Sequence, residues 1–133
     1  MKMQSVKAPT VKEPKPGAWT NAKIFGNQFF ISGMTAHDLE GNVMGGESMY
    51  EQAKATFQKI HDLTLAAGAK MNDIIELNIF VTDIREREEV WRARREYFTG
   101  DFPCCTLVEV KGLAIPALKV EIKAMGFVGA GAQ

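Results

Sequence analysis

Apolar and polar side chains alternate with different periods along the chain, and these periods predict its strands and helices. Two short apolar runs in KIFGNQFFIS, separated by a Gly-Asn pair, predict a β-hairpin with Gly33 at the exit of its second strand. From residue 49 to residue 67 apolar side chains recur every three or four residues, which predicts an amphipathic helix of about five turns. Ser48 is suited to cap its start and Gly68 to end it. The polar side of this helix comprises Glu51, Gln52, Lys54, Lys59 and Asp62.

The second half of the chain predicts a strand, a helix and two further strands. Alternation over residues 73–83 indicates a strand. Its face toward the helices is formed by Ile75, Leu77, Ile79 and Val81. REREEVWRARREYF has a helical period, and residues 104–111 and 118–127 are again strand-like. The order ββαβαββ predicts an α+β domain of two layers, in which one mixed sheet carries both helices on one face.

The other face of the predicted sheet has a mixed character. Its composition follows from the alternation along each strand, if Val108 and Val110 pack under the helices. The outer face then comprises Ile74, Glu76, Asn78, Phe80, Cys105, Leu107, Glu109, Lys119, Glu121 and Lys123. A half-apolar outer face is typical of a subunit interface.

Composition changes along the chain predict three segments. Residues 1–17 are rich in lysine and proline without an apolar period, so we expect a mobile or loosely docked arm. Residues 18–128 are expected to form a single domain, and residues 129–133 a glycine-rich tail.

Charge and cysteine content narrow the functional classes. Lysine plus arginine number 16 and aspartate plus glutamate 16, so no net charge favours nucleic acid or an anionic membrane. We interpret the arginine cluster of the second helix as its solvent-exposed face. No apolar run approaches ~20 residues and no signal peptide is evident, which predicts a cytoplasmic protein with reduced thiols. Two histidines and the adjacent pair Cys104 and Cys105 do not have metal-ligand spacing, so neither a metal nor another cofactor is expected.

Five short motifs together resemble the RidA/YjgF family over residues 17–128. They are FFISG, AAGAKMNDIIELNIFVTDI, FP at the head of the next strand, TLVEV, and VEIKA. The resemblance implies a chorismate-mutase-like fold and a homotrimer with ligand clefts between subunits. It also implies hydrolysis of reactive imines and enamines without a metal or organic cofactor. The family has also carried an endoribonuclease L-PSP label, but we expect a small molecule rather than nucleic acid as the partner.

Three residues match the positions that the resemblance makes functional. Ser32 and Gly33 match a serine-glycine pair at the hairpin exit, and Glu121 matches the glutamate of the final strand. We assign Glu121 as the group that activates water, with Ser32 as a second catalytic residue and Gly33 in the substrate site. The alternative is a solvent-facing Glu121 that pairs with Lys119 and Lys123.

Three other positions depart from the family pattern. Trp19 replaces the usual tyrosine, Trp91 replaces the asparagine of the second helix, and Cys105 replaces the arginine. These three residues and Leu107 are predicted to bind substrate. Either tryptophan could instead be an ordinary core or interface aromatic.

The cysteine at the arginine position affects which substrates can bind. In imine-hydrolysing members the arginine is thought to hold the substrate carboxylate, and a thiol cannot make that bidentate contact. Losing one partner of such a buried pair costs about 2 to 5 kcal/mol, so amino-acid-derived imines should bind poorly unless another cation substitutes. Lys119 and Lys123 are the candidates on the last strand. Cys105 itself either enlarges the pocket or acts as a nucleophile.

Two functions remain open at this point. One is a divergent deaminase or hydrolase acting on an imine, an enamine or a related C–N substrate, which we take as the working hypothesis. The other is a non-catalytic trimeric protein of the same fold that binds small molecules or partners. Glu121→Gln distinguishes them, because it should abolish turnover in the first case and leave ligand-induced stabilisation intact in the second.

Overall fold

The computed structural model describes residues 1–131, which form one six-stranded sheet and two α-helices. In chain order the elements are β1 Gln4–Val6, β2 Ala22–Phe25, β3 Gln28–Met34, α1 Met49–Ala66, β4 Ile74–Val81, α2 Arg87–Arg94, β5 Cys104–Glu109 and β6 Val120–Phe127. The sheet order is β1-β2-β3-β6-β4-β5, and only β4 and β5 pair in parallel. The α+β fold predicted from the sequence is confirmed, with β1 as an additional edge strand.

The long helix α1 forms where its period and its caps predict it. The Ser48 hydroxyl accepts a hydrogen bond from the Glu51 amide at the start, and Gly68 follows the end with φ 87°, where glycine is favoured. The apolar face of α1 lies in a core that also receives α2 and one face of the sheet. Gln52 and Lys59, predicted on the polar side, are buried instead because they hydrogen-bond to backbone groups of neighbouring loops.

A β-bulge changes the predicted faces of β4. Ile74 pairs with Gly126 and Glu76 with Met125 of β6, so Ile75 is an extra residue without a partner. As a result Ile74 is buried in the core and Ile75 is 40% exposed. The prediction of Ile75 in the core and Ile74 on the outer face is therefore wrong at this end of the strand, whereas Leu77 to Val81 keep their predicted alternation.

The faces of β5 are the reverse of those predicted. In the parallel pair, Cys105 lies beside Leu77 and Leu107 beside Ile79, so Cys105 and Leu107 pack against the core. Val108 lies beside Phe80 on the outer face and is 42% exposed. The predicted placement of Cys105 and Leu107 on the same side as Glu121 is wrong. The pairing of β5 with β4 sets its faces, and it leaves Val108, not Leu107, outside the core.

The first 17 residues pack more closely than the loosely docked arm expected from the sequence. Strand β1 pairs antiparallel with β2. Val6, Ala8 and Val11 are buried, and the Asn21 side chain donates to the Lys12 carbonyl. At the other end, the Gly131 amide donates to Asp73, and residues 132–133 of the expected tail lie outside the described residues. Over residues 1–131, neither helix is long and apolar enough to cross a bilayer.

Candidate functional site

The carboxyl group of Glu121 lies against the backbone of Gly33. Strand β3 is irregular between Ile31 and Met34, so Ser32 and Gly33 form a bulge inside the strand rather than its exit as predicted. A Cβ atom added at Gly33 would lie 2.8 Å from Cδ and 3.1 Å from Cγ of Glu121. Glycine at this site therefore makes the space that the Glu121 side chain occupies.

Burial raises the pKa of Glu121 above the ordinary value for glutamate. No hydrogen bond or ion pair to its carboxylate is found within residues 1–131. Lys119, one of its two predicted partners, instead forms an ion pair with Glu86 (Nζ–Oε1 2.8 Å) and donates to the Glu47 carbonyl. A partly desolvated carboxylate without a fixed donor is suited to accept a proton from water.

A cleft of about 640 Å³ lies on the outer face of the sheet beside this bulge. Trp19, Ser32 and Lys123 contribute to its walls. The Ser32 hydroxyl donates to the Thr20 carbonyl at 2.5 Å, which leaves its oxygen free to accept. Trp19 is 61% exposed, and its indole N–H donates to the Asn21 side chain. The structure thus places Trp19 and Ser32 in the wall of the cleft, and the Gly33–Glu121 contact in the bulge beside it.

The other three predicted site residues lie on the opposite side of the sheet. Cys105 and Leu107 of β5 pack against the core together with Trp91 of α2. Strand β4 separates β5 from β6, which carries Glu121. Within one subunit the predicted site residues therefore form two separate groups. Trp19, Ser32, Gly33 and Glu121 make up the first group, and Trp91, Cys105 and Leu107 the second.

Arg94 is the residue that sequence reasoning missed in the second group. Its guanidinium lies 4.4 Å from the ring centroid of Trp91 and 5.0 Å from that of Phe102. It also lies close enough to Cys105 to lower the pKa of that thiol against the larger effect of burial. Arg94 follows Trp91 by three residues, a spacing that places both on one side of a helix, but the arginine-rich composition of α2 had suggested a solvated face.

The surroundings of Cys105 disfavour a nucleophilic thiolate. Burial raises the pKa of its thiol, and the charge of Arg94 and the hydrogen bond from Arg94 offset this only in part. Cys105 therefore stays protonated at neutral pH, and its partly buried thiol lies beside Arg94.

Arg94 has the features of an anion-binding group. Its Nε is buried without a hydrogen-bond partner, and no carboxylate pairs with it in the described part of the chain. The two aromatic rings fix the orientation of its guanidinium plane. Across residues 1–131, no three His, Cys, Asp or Glu side chains are grouped as ligands of a metal ion.

Comparisons with known proteins match nearly the whole domain. A model of the family described as endoribonuclease L-PSP matches residues 10–128. A RutC family protein of Pyrococcus abyssi is 30% identical over 120 residues, which are 89% of this chain and 93% of the relative. A 2-iminobutanoate/2-iminopropanoate deaminase of Dermatophagoides farinae is 28% identical over 113 residues, 84% of this chain and 88% of that protein.

Solved structures also match this fold over nearly the whole chain. A protein of unknown function from Pseudomonas aeruginosa is 33% identical and superposes with a TM-score of 0.87, covering 98% of this chain and 95% of that one. RidA from an Antarctic Psychrobacter superposes with a TM-score of 0.84 over 94% of this chain and 99% of its own, and its 24% identity shows the fold alone.

Proposed function

The chain belongs to the endoribonuclease L-PSP family, also known as the RidA/YjgF family, and on this premise we propose that it hydrolyses an imine, an enamine or a related small C–N substrate. The observation that carries the proposal is the carboxylate of Glu121 on the Gly33 backbone, partly desolvated and without a fixed partner among the described residues. A relative named as an imine deaminase supports the same class of reaction.

The proposed reaction needs one proton acceptor and one group that holds the nitrogen. Glu121 takes a proton from water as the water oxygen bonds to the imine carbon, and the proton then passes to the nitrogen. The hydroxyl proton of this adduct then passes by way of Glu121 to the nitrogen as the C–N bond breaks, so that imine and water give a carbonyl compound and ammonia. Ser32 holds the nitrogen, because its own proton is committed to the Thr20 carbonyl and its oxygen accepts an N–H of the substrate.

We place the complete site between subunits of a homotrimer. One subunit contributes Glu121 and Ser32 from its outer face, and its neighbour contributes Trp91 and Cys105 from the β5 side. Support comes from the separation of the two groups by β4 within one chain. Further support comes from the exposed apolar side chains of the outer face, Phe25, Phe30 and Val108, which a neighbouring subunit would cover.

Arg94 is our candidate for the cation that holds a substrate carboxylate. It lies beside Cys105, so its guanidinium is close to the place where the family pattern has an arginine side chain. Lys119 and Lys123 were proposed from the sequence as substitute cations. Lys119 forms an ion pair with Glu86, whereas Lys123 lines the outer cleft. Imines that carry a carboxylate are therefore included among the proposed substrates, in contrast to the expectation from Cys105 alone.

The test is hydrolysis of imines generated in situ by an amino-acid oxidase, followed as ammonia release above the spontaneous rate. We expect the wild type to accelerate the reaction and Glu121→Gln to lose the acceleration while keeping its fold. Glu51→Gln is the matched control, because Glu51 is an exposed glutamate of α1 that does not line the outer cleft. Turnover by Glu121→Gln at the wild-type rate would refute the role of Glu121.

The non-catalytic alternative makes a different prediction in the same assay. A binding protein would leave the imine untouched in both forms, while the ligand would still raise the melting temperature of Glu121→Gln.

A further inference from the structure

A second cavity, of about 420 Å³, lies between the N-terminal segment, the loop after β3 and helix α1. Its walls include Val11, Trp19, Met34, His37 and Lys59. Trp19 also lines the outer cleft, so the two cavities share this side chain in their walls. The proposed reaction uses neither Lys59 nor His37.

Lys59 is the unusual residue of this cavity. Only 9% of its surface is exposed, and among the residues that the structure describes its ammonium donates one hydrogen bond, to the Thr35 carbonyl at 2.8 Å. No carboxylate pairs with Lys59 within residues 1–131. A buried ammonium normally has a counter-ion and more than one acceptor, because its desolvation costs several kcal/mol.

The groups around Lys59 supply positive rather than negative charge. Lys12 and Lys15 also line the cavity, and Glu13 is the one acid among the described residues that line it. Burial lowers the pKa of Lys59, and burial together with the charge of Lys59 lowers the pKa of His37. The rest of the wall is partly apolar, with Val11, Met34 and the Trp19 ring.

We propose that this cavity binds a small apolar carboxylate, whose oxygens accept from the ammonium of Lys59 while its hydrocarbon part contacts Trp19 and Met34. The anion supplies the charge and the acceptors that Lys59 lacks. A volume of about 420 Å³ accommodates a molecule the size of benzoate. Trp19 and Gly33 line this cavity and also belong to the predicted substrate site, whereas Ser32 and Glu121, the two groups of the proposed reaction, do not line it.

A simpler role for Lys59 is to tie α1 to the loop at Thr35 through its one hydrogen bond. Both roles predict some loss of stability on substitution, so stability alone does not separate them. Anion binding separates them, because a purely structural lysine needs no ligand.

The test is calorimetric titration of the full chain with benzoate and with benzyl alcohol, its uncharged counterpart. We expect benzoate to bind the wild type about tenfold or more tightly than benzyl alcohol, since a charge-assisted hydrogen bond is lost in the alcohol. Lys59→Met should lose this preference. Lys54→Met is the matched control on the same helix, because Lys54 is exposed and does not line the cavity.

Three results would overturn the proposal: no binding of benzoate at millimolar concentration, equal binding of the alcohol, or unchanged benzoate affinity in Lys59→Met. If Lys59→Met does not fold, the wild type still provides the test. In that case the NMR signals of the Lys59 side chain must shift on addition of benzoate, and unshifted signals refute the site. Glu121→Gln should bind benzoate as the wild type does, which keeps this test separate from the fate of the proposed reaction.

Discussion

Single residues carry the proposed chemistry, and the clearest example is the contact between Glu121 and Gly33. The carboxyl group occupies space that any side chain at residue 33 would fill. Burial of the side chain raises the pKa of Glu121. Glycine at residue 33 thus determines where the proton acceptor lies, and burial determines how readily it takes a proton.

Glu121 makes stability depend on pH in a predictable direction. Because its pKa is raised in the folded state, the ionised form is disfavoured there, and folding loses stability as the pH rises through this range. Glu121→Gln should therefore be slightly more stable than the wild type at pH ~7, by less than about 1 kcal/mol because the side chain is partly exposed. The difference should vanish near pH ~3, where glutamate is largely protonated in both states. Thermal unfolding at the two pH values measures it, and a less stable variant at neutral pH would reveal a stabilising contact of the carboxylate.

Arg94 should determine the preference for substrates that carry a carboxylate. We expect Arg94→Gln to lower kcat/KM for imines from an amino-acid oxidase about tenfold or more, with little effect on uncharged imines from an amine oxidase. Arg95→Gln is the control, because Arg95 is the exposed neighbour in sequence. Adding Cys105→Arg to Arg94→Gln should restore part of the loss. An equal fall with both substrate types would instead indicate damage to the packing around Trp91.

At the scale of elements, the alternation of apolar and polar residues predicted which side chains of a strand share a face. It did not always predict whether that face lies against the core or on the outer side of the sheet. In β4 the extra residue Ile75 reverses the alternation at the start of the strand, and bulges have no signal in an apolar pattern. In β5 the faces depend on pairing with β4, which the sequence of β5 does not contain. Cys105 was misplaced for this reason.

Buried polar side chains were missed for a different physical reason. Gln52 donates to the Gly46 and Ala117 carbonyls and Lys59 donates to the Thr35 carbonyl, so their partners are backbone atoms of loops, and those at Thr35 and Ala117 are far away in the sequence. Such partners are identified only once the chain is folded. The helix itself, the hairpin and the grouping of Ser32 with Glu121 needed only local pattern and family resemblance, and these could be predicted.

The close packing at the start of β4 predicts a severe effect of one small substitution. A Cβ at Gly126 of β6 would lie 2.8 Å from both Cα of Ile74 and Cζ of Phe29, and backbone cannot move aside cheaply. Gly126→Ala should therefore cost about 1 to 3 kcal/mol of unfolding free energy, measured by denaturant titration. Gly112→Ala is the control, since no atom lies within 4 Å of its added Cβ, and it should stay within about 0.5 kcal/mol of the wild type. Equal stability of the two variants would contradict the packing at Gly126.

The whole molecule leaves one face of its sheet uncovered. The sequence predicted an apolar interface there, formed by Ile74, Phe80 and Leu107. The structure places Ile74 and Leu107 against the core, so that Phe25, Phe30 and Val108 join Phe80 on the outer face. The predicted homotrimer therefore stays a prediction with a revised interface.

Assembly can be tested with one exposed valine. At micromolar concentration we expect light scattering to give the mass of three chains, each of 14.7 kDa. Val108→Glu should dissociate the trimer, because a charge without a partner is costly in an apolar interface. Leu65→Glu introduces the same charge at an exposed leucine of α1 and should leave the mass unchanged. A wild-type monomer would contradict both the trimer and the shared site.

The adjacent cysteines of β5 are two chemical probes, one of the coverage of the outer face and one of the packing between α2 and the sheet. Cys104 is exposed on the outer face, whereas Cys105 is partly buried on the inner side beside Arg94. A thiol reagent such as iodoacetamide should therefore modify Cys104 first, at a rate that reports how far the outer face is covered. The later modification of Cys105 would report how often α2 moves away from the sheet. Mass spectrometry of the labelled chain could follow both events in one sample.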